Sequence, residues 1–452
     1  GIMKKLILII YLFITILFAG EIQKTSLSMK SFSEENGDIE YRRGSFLIIL
    51  ADSYLSSYLT GSFGGSFIDF KASQGFDVDI MSLDEENLDA LLVTHGPNIR
   101  YLTNFQGTSA SLLVSGNVCY LVTDGRYLTA ARELIESIHG PRQTELVSVI
   151  HKYEETLGSL LVSSNVARVG FEAARMTVRT HSSLSAALEQ ALTGGRAVPA
   201  LVPTTRVVEQ VRILKDDYEL ATLRAAGRIL TTVASNVRRT IRRGRQEREV
   251  AAEIDATLRK AGFERPAFDT IVASGPNSAL PHAQPTDRAL VEGDIVLLDF
   301  GGVFRGYCVD LSRVATIGPP SETACRLHAA VADAQRAALA TIRPGAWASD
   351  VDSAARRVLE ENGLGKAFGH GTGHGLGLEI HEEPRIGRRE TDREHAAALG
   401  SDGLLSSGMV FTVEPGAYEP DCGGVRIEDD VLVTDDGYEL LTDVGRELWV
   451  QL

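Results

Sequence analysis

Between Leu83 and about Val202 the apolar positions fall into short runs that predict strands at Ala90–Val93 and Arg168–Phe171, and a hairpin over Leu112–Val122 turning at Gly116-Asn117. Stretches of helical spacing, Tyr127–Glu136 and Ser183–Leu192, accompany them. Gly194-Gly195, Pro199 and Pro203 then interrupt the pattern, which predicts a domain boundary there. Beyond it, Leu220, Leu223, Leu230, Val233, Val237 and Ile241 recur at helical spacing behind a cap at Asp216 or Asp217. The fold class is α/β (α+β), with strands and helices mixed along both parts of the chain.

The second part nearly repeats itself. Thr240-Ile-Arg-Arg-Gly244 returns 101 residues later as Thr341-Ile-Arg-Pro-Gly345, and at the same offset Val250, Leu258 and Gly262 meet Val351, Leu359 and Gly363. Each copy reads as a helix, a Gly-containing turn and a second helix closed by a C-terminal Gly. After each pair comes an H-x-x-P, His282–Pro285 and His381–Pro384. The run Gly293 to Gly301, which carries Asp299, then aligns with Gly408 to Gly416, which carries Glu414, and a following strand bears Asp310 in one copy and Glu428 in the other. A pseudo-twofold domain of this kind brings four carboxylates from two hairpins to one centre.

The stretch His370 to Glu382, H-G-T-G-H-G-L-G-L-E-I-H-E, lies in the second copy. Four glycines in seven residues would each cost a helix interior roughly 1 kcal/mol, so an irregular segment leading into a strand at Leu378–His381 is expected. The bare backbone suggests close approach by something bulky or charged. A phosphate cradle is disfavoured, because a phosphate-binding glycine loop lies between a strand and a helix, and L-E-I-H-E-E-P follows here.

Composition changes this picture at four points. The net charge of −15 argues against a nucleic-acid partner. The cysteines at 119, 308, 325 and 422 lack zinc-like spacing and are assigned to packing. Met3-Lys-Lys followed by an apolar run from Leu6 to Phe18 and by Ala19-Gly20 has the layout of a secretory signal peptide, too short for a stable membrane span. Five of the nine lysines precede residue 81, whereas Arg42 and Arg43 alone of thirty-six arginines do. Residues 1–80 therefore read as a leader and an unassigned segment foreign to the rest, with Met81 as a start and a strand-like F-L-I-I-L within. Export is expected if that leader is native, and a cytoplasmic enzyme portion otherwise. His95 and His139 stand alone beside turns and are expected to be solvated.

Four converging carboxylates cannot all stay charged in a partly buried place without a compensating cation. Asp299 and Glu414 each end an apolar strand, which buries their approach, so metal is favoured over four solvated acids. Oxygen ligands with one imidazole lean to Mn²⁺ or similar ions, and two such ions would make a water nucleophile and polarise a carbonyl.

Asp299, Asp310, His374, Glu414 and Glu428, in this order and with G-H-G-T-G-H-G, resemble the five ligands of the pita-bread metallopeptidases, in particular the Xaa-Pro aminopeptidase (aminopeptidase P) and prolidase branch. The resemblance covers about residues 83–446. It implies a creatinase-like N-terminal α/β domain over 81–203, a pita-bread catalytic domain over 204–452, and cleavage before proline. It also implies two divalent ions, Mn²⁺ first and Co²⁺ or Zn²⁺ as alternatives. Asp299 would hold one ion, His374 and Glu414 the other, with Asp310 and Glu428 bridging and Glu414 also serving as general base. His282, His370 and His381 match the histidines that hold the substrate carbonyl, stabilise the intermediate and assist the leaving proline, and Arg426 matches an arginine that steadies the carboxylates.

The resemblance has departures. Gly387 to Ser407 is longer and more charged than the usual connection, and Ser407 stands where proline is common. Arg385 resembles a position that binds a dipeptide's C-terminal carboxylate. The resemblance thus leads to an Xaa-Pro aminopeptidase first, with prolidase as the alternative and a non-catalytic peptide- or protein-binding module as a third reading. Proline-containing peptides are the expected partners, and a homodimer is expected because relatives often form one. Creatinase chemistry is disfavoured because all five ligands are kept, and a methionine aminopeptidase by the extra domain.

Overall fold

The computed structural model describes residues 45–50, 77–83, 87–115, 118–137, 141, 144–192, 197–389, 403–420 and 422–451. The leader of residues 1–20, the Gly116-Asn117 turn, His139 and most of the Gly387–Ser407 connection lie outside the described residues. The expected strand within F-L-I-I-L is present as Ser45–Leu50, paired in parallel with Asp77–Ser82 so that Ile49 lies opposite Met81. Among the described residues no helix is long and apolar enough to cross a membrane.

Two compact units are present, Gly1–Val211 with Asp216–Tyr218, and Arg212–Lys215 with Glu219–Leu452. In the first, six strands lie in the order Thr144–Val149, Val118–Asp124, Ala110–Ser115, Ala90–Val93, Arg168–Glu172 and Ala200–Thr204. The Ala110–Ser115 strand runs antiparallel to both of its neighbours, and the outer pairs are parallel. Ala90, Leu92, Leu113, Val122 and Val169 pack with Leu157, Leu161, Leu184 and Leu188 from the helices Tyr153–Ser163 and Val178–Ala191. Pro203 does not end this unit but lies in its last strand. It is tolerated because that strand is at the sheet edge, where a missing N–H leaves no ladder bond broken. His95 is half-buried rather than simply solvated, because its N–H opens the Gly96–Thr103 helix by donating to the Glu172 carboxylate at 2.8 Å.

The second unit carries the repeat into three dimensions. The helices Glu247–Lys260 and Ala348–Glu361 start and end 101 residues apart, and each follows a left-handed glycine, Gly244 at φ 85° and Gly345 at φ 80°. The N–H of Gly244 donates to the carbonyl oxygen of Leu290, and that of Gly345 to Leu405, both at 2.8 Å. Ile271–Ser274, Ile295–Asp299 and Ser312–Ile317 form one antiparallel set, and Gly373–Gly375, Val410–Val413 and Asp429–Val433 form its counterpart. Leu327, Val331 and Ala338 of the Glu322–Leu339 helix join Val351, Ala355 and Leu359 over Phe411, Val413, Val431 and Val433. This is the pseudo-twofold arrangement expected from the repeat, and the pita-bread architecture that the resemblance implies.

Two expectations are corrected around His374. No strand covers Leu378–His381; the strands are Gly373–Gly375 and Glu382–Ile386, with bends between them. Local hydrogen bonds take the backbone away from a ladder there, Gly377 N–H to the Glu379 carbonyl at 3.0 Å and Glu379 N–H to the Glu382 carboxylate at 2.9 Å. The glycines, for their part, make room for neighbouring strands. A Cβ on Gly373 would stand 1.8 Å from the Thr412 carbonyl oxygen, and one on Gly375 would stand 2.1 Å from that of Glu383. Gly373→Ala is therefore expected to lower stability by more than about 3 kcal/mol, since neither contact can yield without moving backbone. Urea unfolding with a midpoint equal to wild type would contradict this packing role.

The cysteines also split. Cys119 and Cys308 are buried, and Cys325 and Cys422 are exposed, the first on the outer side of its helix and the second beside a turn. All four are free thiols.

Candidate active site

The end of the Ile295–Asp299 strand, the start of Ser312–Ile317, the Gly373–Gly375 strand and the region of Val410–Val413 and Asp429–Val433 meet in the middle of the second unit. Because Asp299 pairs with Ser312 and Val413 with Asp429, the register places Asp299 beside Asp310 in one half, and Glu414 beside Glu428 in the other. Asp299, Asp310 and Glu428 are buried and Glu414 is nearly so.

Most of the acid oxygens have assigned tasks. Asp299 Oδ2 pairs with the Arg426 guanidinium, and its Oδ1 is buried with no partner. Asp310 Oδ1 accepts the Leu311 N–H at 2.8 Å, while Oδ2 faces His374 Nε2 at 4.0 Å. Glu428 Oε2 accepts from the Ser312 hydroxyl at 2.6 Å. Glu414 Oε1 lies 3.6 Å from His374 Nε2 and accepts from Thr412 Oγ1 at 3.4 Å. His374 Nδ1 donates to the Gly375 carbonyl oxygen at 3.0 Å, which leaves the Nε2 lone pair directed at the acids.

Electrostatics describe an undercompensated cluster. Burial and then the neighbouring carboxylates push Asp310 and Glu428 well above the usual carboxylate range, and burial pushes Glu414 up. Burial pushes His374 down, so its imidazole is neutral. Oxygen donors of Asp310 and Glu428 and a nitrogen of His374 lie within 4.8 Å of one another. Together with the orphaned Asp299 oxygen, this donor set suits hard divalent cations, whose charge would relieve the repulsion. The residues present fit the metal pair that the sequence implies.

The histidines form an outer layer. His370 Nδ1 donates to the Gly371 carbonyl oxygen at 2.7 Å, and its Nε2 accepts from the Tyr418 hydroxyl at 3.0 Å. Tyr418 Oη in turn accepts from Arg426 Nη1 at 2.7 Å. His381 stacks edge-on against His374 with centroids 4.2 Å apart, and burial and the neighbouring histidines hold it down at about 4. His282 is exposed and close enough to His370 and His381 for its charge to bear on both. Arg385, exposed on the Glu382–Ile386 strand, is the cross-strand partner of His374, and its charge bears on His381. The structure thus gathers every singled-out residue.

Sequence reading missed three supports. Tyr418 joins Arg426 to His370. Glu247, buried at the start of its helix, receives the N–H groups of Ser274 and Thr286 at 2.7 and 2.9 Å and so fixes the loop that carries His282. Asp352 receives the Thr372 N–H and hydroxyl at 3.1 and 2.8 Å and pairs with Arg356, which donates to the His370 carbonyl oxygen at 2.9 Å. The one available signal was an acid on the apolar face of each amphipathic helix, a place where unpaired charge is costly.

A fold of two similar halves around buried acids and an imidazole is that of a metal-dependent hydrolase. The pattern of metallopeptidase family M24 matches residues 221–435, and that of the creatinase/prolidase N-terminal domain matches residues 80–214. The chain belongs to metallopeptidase family M24, in the pita-bread branch of Xaa-Pro exopeptidases, and is by class a metallo-exopeptidase. It is 32% identical to an Xaa-Pro dipeptidase of Pyrococcus horikoshii over 81% of this chain and 96% of that one. Among solved structures it is similar to an Xaa-Pro dipeptidase from Bacillus anthracis, with TM-score 0.73 and 34% identity over 82% of this chain and 97% of that one. It is also similar to an X-Pro aminopeptidase from Thermotoga maritima, with TM-score 0.69 and 32% identity over 80% and 98%.

Proposed function

We propose that the protein hydrolyses Xaa-Pro dipeptides, with Asp299, Asp310, His374, Glu414 and Glu428 holding two divalent ions, Mn²⁺ by the preference of an oxygen-rich set with one imidazole. When bound, the ions supply Lewis-acid polarisation of the scissile carbonyl and a water activated at neutral pH. Glu414, 3.6 Å from His374 Nε2 at the centre of the cluster, takes a proton from the attacking water and delivers it to the leaving nitrogen. His381 and His282, on the open side, hold the substrate carbonyl and stabilise the charge that develops, while neutral His370, with its two ring nitrogens engaged by Gly371 and Tyr418, is a positioning residue for that layer. Arg426 keeps Asp299 oriented.

The observation that carries the dipeptide reading is Arg385. A proline that is also the substrate's last residue brings a carboxylate within a few ångströms of the cleaved bond, and a cation beside His381 and across from His374 suits it. This reverses the order expected from sequence, where the aminopeptidase came first. The aminopeptidase remains the second reading, favoured by the likeness to the X-Pro aminopeptidase from Thermotoga maritima.

Parallel assays of Xaa-Pro and Xaa-Pro-Yaa with added Mn²⁺ test the assignment. Arg385→Met is expected to raise KM for the dipeptide about tenfold or more, the size of one charge-assisted hydrogen bond, and to spare a tripeptide amide. A wild-type preference for the tripeptide, with Arg385→Met neutral, would move the assignment to the aminopeptidase.

A further inference from the structure

A second buried charge cluster lies beside the active site and is used by none of the steps above. The side chains of Arg212 and Lys215 are only 3% and 1% exposed, although both residues belong to the short segment Arg212–Lys215 that opens the second unit. Both point at Glu382. Arg212 Nη2 pairs with Glu382 Oε1 and, at 3.1 Å, with Glu379 Oε2; Lys215 Nζ lies 3.6 Å from Glu382 Oε2. The segment is itself strapped down, since Lys215 N–H donates to the Gly408 carbonyl oxygen at 2.9 Å and Leu214 bridges Met409, just ahead of the strand that leads to Glu414.

Glu382 does more than neutralise two cations. Its Oε1 accepts the Glu379 N–H at 2.9 Å, the Gly377 N–H donates to the Glu379 carbonyl oxygen at 3.0 Å, and the Gly377 carbonyl oxygen accepts the Cys308 N–H at 2.7 Å. The turn from Gly377 to Glu382 is therefore closed on its own carboxylate and tied at both ends. His381 is the residue immediately before Glu382, with its ring against His374. Buried ion pairs are poor stabilisers, because desolvation offsets most of the attraction and apolar residues of similar volume often do better. Their use here is better accounted for by what they fix in place.

We propose that Arg212 and Lys215, acting through Glu382, are positioning residues that hold the Gly377–Glu382 turn and so set His381 over His374. The proposal rests on the reading of His381 as a substrate-facing group. The clamp itself does not depend on that reading and can be measured without turnover.

The test uses the full chain with Mn²⁺ and the variants Arg212→Met, Arg212→Lys, Lys215→Met and Glu382→Gln. Hydrogen exchange is followed at peptides covering residues 377–382, and kinetics on an Xaa-Pro dipeptide run in parallel. In Arg212→Met and Glu382→Gln the amides of the turn are expected to exchange about 10–100-fold faster, with the Ala348–Glu361 helix unchanged. kcat is expected to fall about 10–100-fold with KM and bound metal near wild type, the cost of a group misplaced by about an ångström. Arg212→Lys should recover part of both, and Arg212→Met with Glu382→Gln should be no worse than the more damaged single variant. Unchanged exchange at the turn overturns the clamp. A loosened turn with wild-type kcat overturns the link to His381, and loosening that extends to the helix or tracks metal loss overturns positioning in favour of a structural role. A wild-type enzyme inactive on every Xaa-Pro peptide would sink the functional assignment, while the exchange data still decide the clamp.

Discussion

Glu414→Gln is expected to lower kcat on an Xaa-Pro dipeptide about a thousandfold, within the range for a lost general base. Glutamine keeps the length and one carbonyl oxygen of the side chain, so the contacts with Thr412 Oγ1 and the approach to His374 Nε2 can persist. What it removes is the ability to take and return a proton, together with one negative charge toward the ions, so the comparison is made at equal bound metal. Glu439→Gln, which touches only a surface ion pair with Arg224, should remain within about twofold of wild type. Retention of more than a tenth of wild-type kcat by Glu414→Gln, at equal metal content, would remove Glu414 from the proton-transfer role.

The place of Glu414 among the gathered acids was legible in the sequence because duplication leaves a signal that single sites do not. The offset joining Gly244 to Gly345 marks two left-handed turns, and the alignment of Gly293 with Gly408 marks two more, at φ 94° and 90°. Once these turns are in register, Asp299 and Glu414 follow at the ends of matched strands, and Asp310 and Glu428 after matched hairpins. Tyr418 has no such counterpart, because the aligned position is Val303, and a tyrosine in an apolar hairpin reads as core. Arg212 and Lys215 were invisible for another reason. Their partner lies about 170 residues away and nothing in local composition separates a buried arginine from a solvated one. The misplaced strand at Leu378–His381 has the same origin in part, since Glu382, held from outside the segment, joins the Gly377–Glu379 backbone bond in turning that backbone away from a ladder.

Freed of divalent ions, the protein is expected to lose stability as pH rises above about 7, where the site histidines, pushed down in the fold, are neutral in both folded and unfolded chains, and to recover it on adding Mn²⁺. Asp310, Glu428 and Glu414 all sit above their ordinary values in the metal-free fold, raised by burial first and, for Asp310 and Glu428, then by one another. The native state then binds more protons than the unfolded chain between the ordinary carboxylate range, about 4, and the raised values. Stability that is fully present below that range is therefore given up as pH climbs through it, because ionising these acids places like charges together with Arg426 as their nearby guanidinium. Bound cations reverse the sign, since they require the ionised forms and bind more tightly as pH rises. At a free Mn²⁺ concentration about a hundredfold above Kd, each ion should add about 2.7 kcal/mol. For a unit of this size that is roughly 5–10 °C in the unfolding of the catalytic half. Thermal unfolding of chelated and Mn²⁺-loaded protein at about pH 7 and about pH 8.5, both above the histidine range, reads both effects, with the larger metal-induced shift expected at the higher pH. Equal shifts at the two pH values, or a metal-free protein that gains stability across the interval, would show that the acids are not the cation site.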